Sequence, residues 1–218
     1  RSIFNKITIT YPQNLETAQY LKILKVNKIS HLGNLKFTEN YEENLDKINV
    51  NLKKELKKKK IWVASSTHKN EEVFCAKAHI QLRKKVKNLI TIIIPRHIHR
   101  SEEIISEIKN LGLKVSQHSA KLRSLKDTDI YIVDTFGETK KFHKIGSSVF
   151  LGGSIIDRGG QNPLEAARFG AKILHGPNTD NFKDVYKLLK SLNVSKKILT
   201  SKKLASSITF RKNKIIGN

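Results

Sequence analysis

Residues 61–66 read IWVASS and residues 89–95 read LITIIIP. Both are short apolar runs of the kind that suits a strand buried on its two faces. Between them, residues 70–86 carry Val73, Ala76, Ile80 and Leu82, which predicts a helix with these side chains inward. Strand, helix, strand with both strands apolar implies a parallel pair joined by a helical crossover.

The alternation continues downstream. The pattern predicts a helix over 101–111 ending at Gly112, a strand near 113–117, a strand at 129–135 (DIYIVDT) and a helix near 138–145. It then predicts a strand at 148–153, a helix over 163–169 closed by Gly170, and a strand at 171–175. A helix over 181–192, a short strand at 197–200 and a last helix from Lys202 complete the chain. Such alternation specifies an α/β fold, a Rossmann-like parallel sheet with helices on both faces. Upstream, residues 6–12 alternate like a strand, 14–26 have helical spacing and 28–33 read as another short strand, the end of an α/β unit. Residues 41–60 are polar and charged, yet Leu45, Ile48, Leu52 and Leu56 keep helical spacing, so this stretch reads as a linking helix. The expected division is 1–40, 41–60 and 61–218.

The chain has 218 residues, 38% hydrophobic and 28% charged, and no apolar run approaches the roughly 18 residues of a membrane span. Its one cysteine, Cys75, excludes an internal disulfide and four-thiolate zinc sites. No metal site is expected. Lysine and arginine number 42 against 19 acidic residues, a net charge of +23, enough to attract nucleic acid, anionic lipid or phosphorylated substrates. Much of this charge is lysine, as in Lys57 to Lys60, without interleaved aromatics, so a solvated basic surface explains it equally and no specific nucleic acid is expected. The sequence opens with Arg1 and contains no methionine, so it is expected to be a piece of a longer chain.

In open α/β sheets ligands sit beyond the carboxyl ends of the strands, which selects five loops. The loop GGSIIDRGGQNP leads into LEAARFG. Gly152, Gly153, Gly159 and Gly160 would let backbone amides approach a phosphate, and Asn162, Pro163, Leu164 and Glu165 form a helix start whose dipole favours an anion. Glu165 is placed to accept hydrogen bonds from ribose hydroxyls, although Asn162 with Glu165 also suits a capping box needing no ligand. Neither G-x-G-x-x-G after the first strand nor GK[ST] is present, which argues against dinucleotide and P-loop sites.

In PRHIHR, Pro95 to Arg100, the Arg96 fork suits phosphate or carboxylate, or a surface ion pair; His97 and His99 do not form a metal pattern. In SSTHKNEE, Ser66, Thr67 and His68 are candidate donors to an anion or sugar, while Glu71 and Glu72 read as residues that favour the helix start. In TFGE, Thr135 to Glu138, Phe136, Gly137 and Glu138 occupy a strand-to-helix turn that serves equally as a contact for base or phosphate. GPNTDNF at 176–182 reads as a wall of the same edge.

Together, GNLKF at 33–37, SSTHKNEE at 65–72, PRH with Arg100, TFGE at 135–138, FLGGS at 150–154, GGQNPLEAA at 159–167 and GPNTDNF at 176–182 resemble the C-terminal half of the bacterial 3-deoxy-D-manno-octulosonic acid (Kdo) transferases. The resemblance runs from about residue 6 to about residue 210. It implies the C-terminal half of a two-domain GT-B glycosyltransferase that moves Kdo from CMP-Kdo to the lipid A precursor in lipopolysaccharide core synthesis. Residues 1–40 would then be the tail of a truncated N-terminal acceptor domain, and 61–218 the CMP-sugar-binding domain. Carried over by motif, CMP contacts fall on Pro95, Arg96, Phe136, Gly137, Glu138, Asn162, Pro163, Leu164 and Glu165. The catalytic base is expected in the N-terminal domain, and CMP-Kdo is a substrate, with no cofactor. The implied place is the cytoplasmic face of the bacterial inner membrane, with its anionic surface and the lipid A precursor as partners. The family shows glycine where Asn70 stands, glutamate at His99 and histidine at Gln161. Another nucleotide-sugar transferase or epimerase of this architecture, and a basic module for RNA or anionic lipid, are the alternatives.

Overall fold

The computed structural model describes residues 3–12, 15–30, 48–120 and 124–212. The chain divides into two compact units, residues 1–44 and 45–218. In the first, helix α1 (Leu15–Ile23) connects segments joined by a single parallel bridge, Thr10 to Ile29. The Thr10 amide donates to the Lys28 carbonyl at 2.9 Å, and the Ser30 amide to the Thr10 carbonyl at 2.9 Å. The two strands expected at 6–12 and 28–33 thus contribute one bridge; residues 31–33 and the GNLKF motif lie outside the described residues.

The second unit begins its described part with α2 (Val50–Lys57), capped by the Asn49 side chain accepting from the Asn51 amide. Residues 41–47 of the expected linking helix lie outside the described residues. Buried Leu56 and partly buried Leu52 pack α2 onto the core of this unit.

Strands β1 (Lys60–Thr67), β2 (Leu89–Pro95), β3 (Val115–Gln117), β4 (Ile130–Ile132), β5 (Ser148–Leu151), β6 (Lys172–His175) and β7 (Ser195–Lys197) form one sheet. Their order is β3-β4-β2-β1-β5-β6-β7, and every pairing is parallel. Successive side chains in each strand enter opposite layers. Trp62, Ala64, Ile93, Ile130, Ile132, Phe150 and Leu174 share one core with α3 (Glu71–Arg83), α4 (Ser101–Lys109) and α8 (Ser201–Ser207). Val63, Ile92, Tyr131, Val149 and Ile173 share the other with α2, α5 (Thr139–Ile145), α6 (Leu164–Arg168) and α7 (Lys183–Ser191). No helix among the described residues is long and apolar enough to cross a membrane.

Two expectations are corrected. The last strand lies at Ser195–Lys197 rather than 197–200, because Ser195 to Lys197 hold the register against Ile173 to His175. Leu199 is already turned to solvent. The buried residues of α3 are Glu71, Glu72, Cys75, Ala76, Ala78, His79 and Leu82, with Val73 and Ile80 only half-buried. Two glutamates and a histidine therefore take positions that an apolar reading of the helix passes over.

Candidate functional site

The chain turns outward on either side of β1, toward β2 and β4 on one side and β5 on the other, so the crevice of the sheet opens at the carboxyl ends of these strands. The loops after β1, β2, β4, β5 and β6 all emerge at this edge, and the predicted site residues lie in them, in the last residues of β1 and β2 and at the start of α6. At its end β1 bulges: Ser65 pairs with Ile94 but Thr67 pairs with Pro95, leaving Ser66 as the extra residue with φ 55°. Asn70 is also left-handed at φ 75°, a conformation that asparagine tolerates better than most residues.

The loop after β5 is held from inside. Fully buried Glu71 accepts hydrogen bonds from the amides of His68 (3.0 Å), Gly153 (2.7 Å), Ser154 (3.1 Å) and Ile155 (2.9 Å). This corrects two readings. Glu71 is more than a helix-start residue, and the first amides of the glycine-rich loop are already occupied by the protein's own carboxylate.

The glycines follow the same logic. A Cβ on Gly152 would lie 2.3 Å from the Ser66 carbonyl oxygen and 2.6 Å from Thr67 Cα, so close backbone approach requires glycine there. A Cβ on Gly159 would meet the Asn181 side chain at 2.5 Å. The Gly160 amide closes the loop on the Gly153 carbonyl at 2.9 Å. The stretch after β6 buttresses it: the Gly176 amide donates to Ser154 Oγ, Asn178 to the Ile155 carbonyl and Asn181 to the Arg158 carbonyl.

At the start of α6, Asn162 Oδ1 accepts from the Leu164 amide at 3.1 Å, with buried Pro163 between them. The amides of Glu165 and Ala166 have no acceptor among the described residues, as expected for the first turn of a helix. Glu165 Oε1 lies 2.8 Å from Nδ1 of buried His143 on α5, which fixes the orientation of this carboxylate; no capping-box return to Asn162 is made.

A cluster of arginine and histidine side chains stands beside the loop. Arg96 is exposed, and its amide donates to the Thr67 carbonyl at 2.9 Å, continuing the edge of the sheet. The rings of His68 and His97 are 5.6 Å apart, edge to face, and those of His97 and His99 also 5.6 Å. Burial, and then the charges of His97, Arg158 and Arg96, hold the His68 pKa below the ordinary imidazole value, outweighing the pull of Glu71. Arg158, on the glycine-rich loop, is thus part of the same electropositive corner.

In the loop after β4, Phe136 is 80% exposed and Gly137 has φ 79° with open space where a Cβ would stand. Glu138 pairs with Lys141 at 3.0 Å, and its other oxygen lies 3.9 Å from His118. Sequence reasoning did not single out Arg158, Lys141 or His143. Arg158 is the lone cation within GGSIIDRGGQNP, a signal available in the sequence; the roles of Lys141 and His143 depend on packing across elements. Among the described residues no group of three or more His, Cys, Asp and Glu side chains is placed to hold a metal ion.

No family model matches the chain. It is 32% identical over 185 residues to a 3-deoxy-D-manno-octulosonic acid transferase of Rickettsia bellii, covering 84% of this chain and 43% of that protein. The corresponding transferase of Haemophilus influenzae is 29% identical over 163 residues, 74% of this chain and 38% of that one. The chain therefore spans about two fifths of the length of these relatives. Among solved structures it is similar to the C-terminal CMP-Kdo binding domain of WaaA from Acinetobacter baumannii, with TM-score 0.65 and 25% identity over 69% of this chain and 79% of that one. The chain is thus similar in sequence to Kdo transferases over part of their length, and in structure to a C-terminal CMP-Kdo binding domain.

Proposed function

We propose that this chain binds CMP-Kdo and is the donor-binding part of a Kdo transferase, a glycosyltransferase that moves Kdo to the lipid A precursor (lipid IVA) in lipopolysaccharide core synthesis. The observation that carries this reading is the similarity to the CMP-Kdo binding domain of WaaA. Transfer requires that the acceptor hydroxyl lose its proton while attacking the anomeric carbon, and that the departing CMP phosphate be stabilised. The second task falls to this chain. Arg96 is assigned to the phosphate, with Arg158 and the amides of Glu165 and Ala166 supporting the same charge and the uncharged His68 ring offering a hydrogen bond. Glu165, oriented by His143, is assigned to the ribose hydroxyls, and Phe136, Gly137 and Glu138 to the nucleotide's other side. Ser66, Thr67 and the segment Gly152 to Gly160 shape the pocket floor.

The base that takes the acceptor proton is assigned to a part of the protein other than residues 61–218, and no cofactor takes part. The place of action is the cytoplasmic face of the bacterial inner membrane, where a net charge of +23 draws the chain to the anionic surface. Isothermal calorimetry tests the reading: CMP should bind, UDP should bind at least tenfold more weakly, and Arg96→Ala and Glu165→Ala should each abolish the CMP heat. Equal binding of UDP would instead favour another nucleotide-sugar enzyme. Salt-sensitive binding of RNA with no response to CMP would favour a basic binding module. The 218-residue chain by itself is expected to bind donor without transferring Kdo.

A further inference from the structure

The opposite end of the sheet carries a second polar cavity. The loops leading into β1, β2 and β4 enclose a space of about 580 Å³ lined by Lys59, Arg83, Lys87, Lys114 and Lys126, against which stand only Asp127 and Asp129. Lys60 and Thr67 at the two ends of β1 are separated by seven residue steps, so this cavity lies about 23 Å from the crevice, at about 3.3 Å per step.

The carboxylates do not neutralise the cluster. Asp129 Oδ2 accepts from the Lys114 amide at 2.9 Å and stands 3.8 Å from Arg83, while Asp127 pairs with Lys114 at 3.4 Å. Lys87 and Lys126 make no ion pair with a carboxylate among the described residues. At the wall of the cavity His79 is fully buried. Its Nδ1 lies 2.8 Å from Thr91 Oγ1, but its Nε2 has no hydrogen-bond partner, the nearest Asp129 oxygen being 3.6 Å away. A buried polar atom without a partner, at the wall of a concavity with an excess of positive charge, is one that an anion with several acceptor oxygens would satisfy.

We propose that this cavity is a phosphate-binding site, separate from the donor crevice, with Lys87 and Lys126 supplying charge and His79 a hydrogen-bonding group at the wall. The phosphate comes either from a free phosphorylated solute or from the headgroup of an anionic phospholipid, and the experiment separates the two.

Pyrophosphate is titrated into the 218-residue chain carrying Arg96→Ala, which disables the proposed donor site, and flotation is measured with vesicles containing phosphatidylglycerol against pure phosphatidylcholine. Both are repeated with Lys87→Glu and Lys126→Glu together. Both lysines are exposed, so the pair leaves the core intact. Lys202→Glu with Lys203→Glu, exposed on α8, is the charge-matched control. A tenfold or greater loss of pyrophosphate affinity in the first pair and not in the control supports the site with a free solute. A loss of flotation confined to the first pair supports it with a lipid headgroup. Absence of binding in both assays, or equal loss in the control, overturns it.

Discussion

The Glu71 carboxylate lies 2.7 Å from the Gly153 amide nitrogen, 82 positions further along the chain, and ties the helix after β1 to the loop after β5. With the Ser154 and Ile155 amides bound to the same side chain, the loop has its shape before any ligand arrives. Preorganisation of this kind lowers the ordering cost of binding.

Removing that carboxylate leaves buried amide donors unsatisfied. Glu71→Gln keeps one acceptor oxygen and turns an amino group toward donors, and should destabilise the chain by about 2 kcal/mol; Glu71→Ala should cost about 3 kcal/mol or more. Urea unfolding measures both. A loss under about 0.5 kcal/mol, the range of ordinary surface changes, would show that the loop holds its shape without the clamp.

Much of this fold was legible in the sequence. IWVASS and LITIIIP became β1 and β2, and glycine or proline punctuation located most helices, because both signals are local. The site was legible as a set of loops, since the crevice rule depends on topology alone. Its interior wiring was not. Glu71 and Glu72 look like ordinary first-turn carboxylates until the loop after β5 and Arg100 come to lie against them. The four glycines suggested ligand approach, yet Gly152 and Gly159 are required by Ser66, Thr67 and Asn181, contacts distant in sequence.

Glu72 is fully buried and pairs with Arg100 at 3.1 Å, the Arg100 side chain being 13% exposed. Burial raises the Glu72 pKa above the ordinary carboxylate value, and Arg100 works against that rise. Arg100→Ala should therefore strand a buried charge and cost about 3 kcal/mol at neutral pH. A carboxylate whose pKa is raised by folding takes its proton on the folded chain first, so stability increases as pH falls toward 4.5. The penalty of Arg100→Ala should accordingly shrink between pH 8 and pH 5. A penalty independent of pH, measured by urea midpoints, would mean that lost packing rather than lost charge pairing is responsible.

His79 titrates with the opposite sign. Burial lowers its pKa from 6.5 to about 4, with Arg83 adding to the effect and Asp129 opposing it. The unfolded chain then binds a proton that the folded one refuses, so stability is present above pH 6.5 and is lost as pH falls toward 4. The loss should be about 3 kcal/mol, since one pKa unit corresponds to about 1.4 kcal/mol. His79→Asn should flatten this part of the stability profile relative to the unsubstituted chain. Ring-proton NMR checks the same point directly, and a His79 midpoint at or above 6.5 would contradict it.

Phe136 separates binding from stability. At 80% exposure its ring has little contact to lose, so Phe136→Ala should leave the unfolding midpoint within about 0.5 kcal/mol of its original value. The proposed function places the same ring against the nucleotide, where base stacking is worth roughly 1–3 kcal/mol. CMP affinity should then fall about tenfold or more, and Phe136→Trp should retain it, because the indole offers at least as large a stacking face. Calorimetry with both variants decides the matter: unchanged affinity in Phe136→Ala would remove Phe136 from the nucleotide site while leaving the Arg96 assignment to be judged on its own variant.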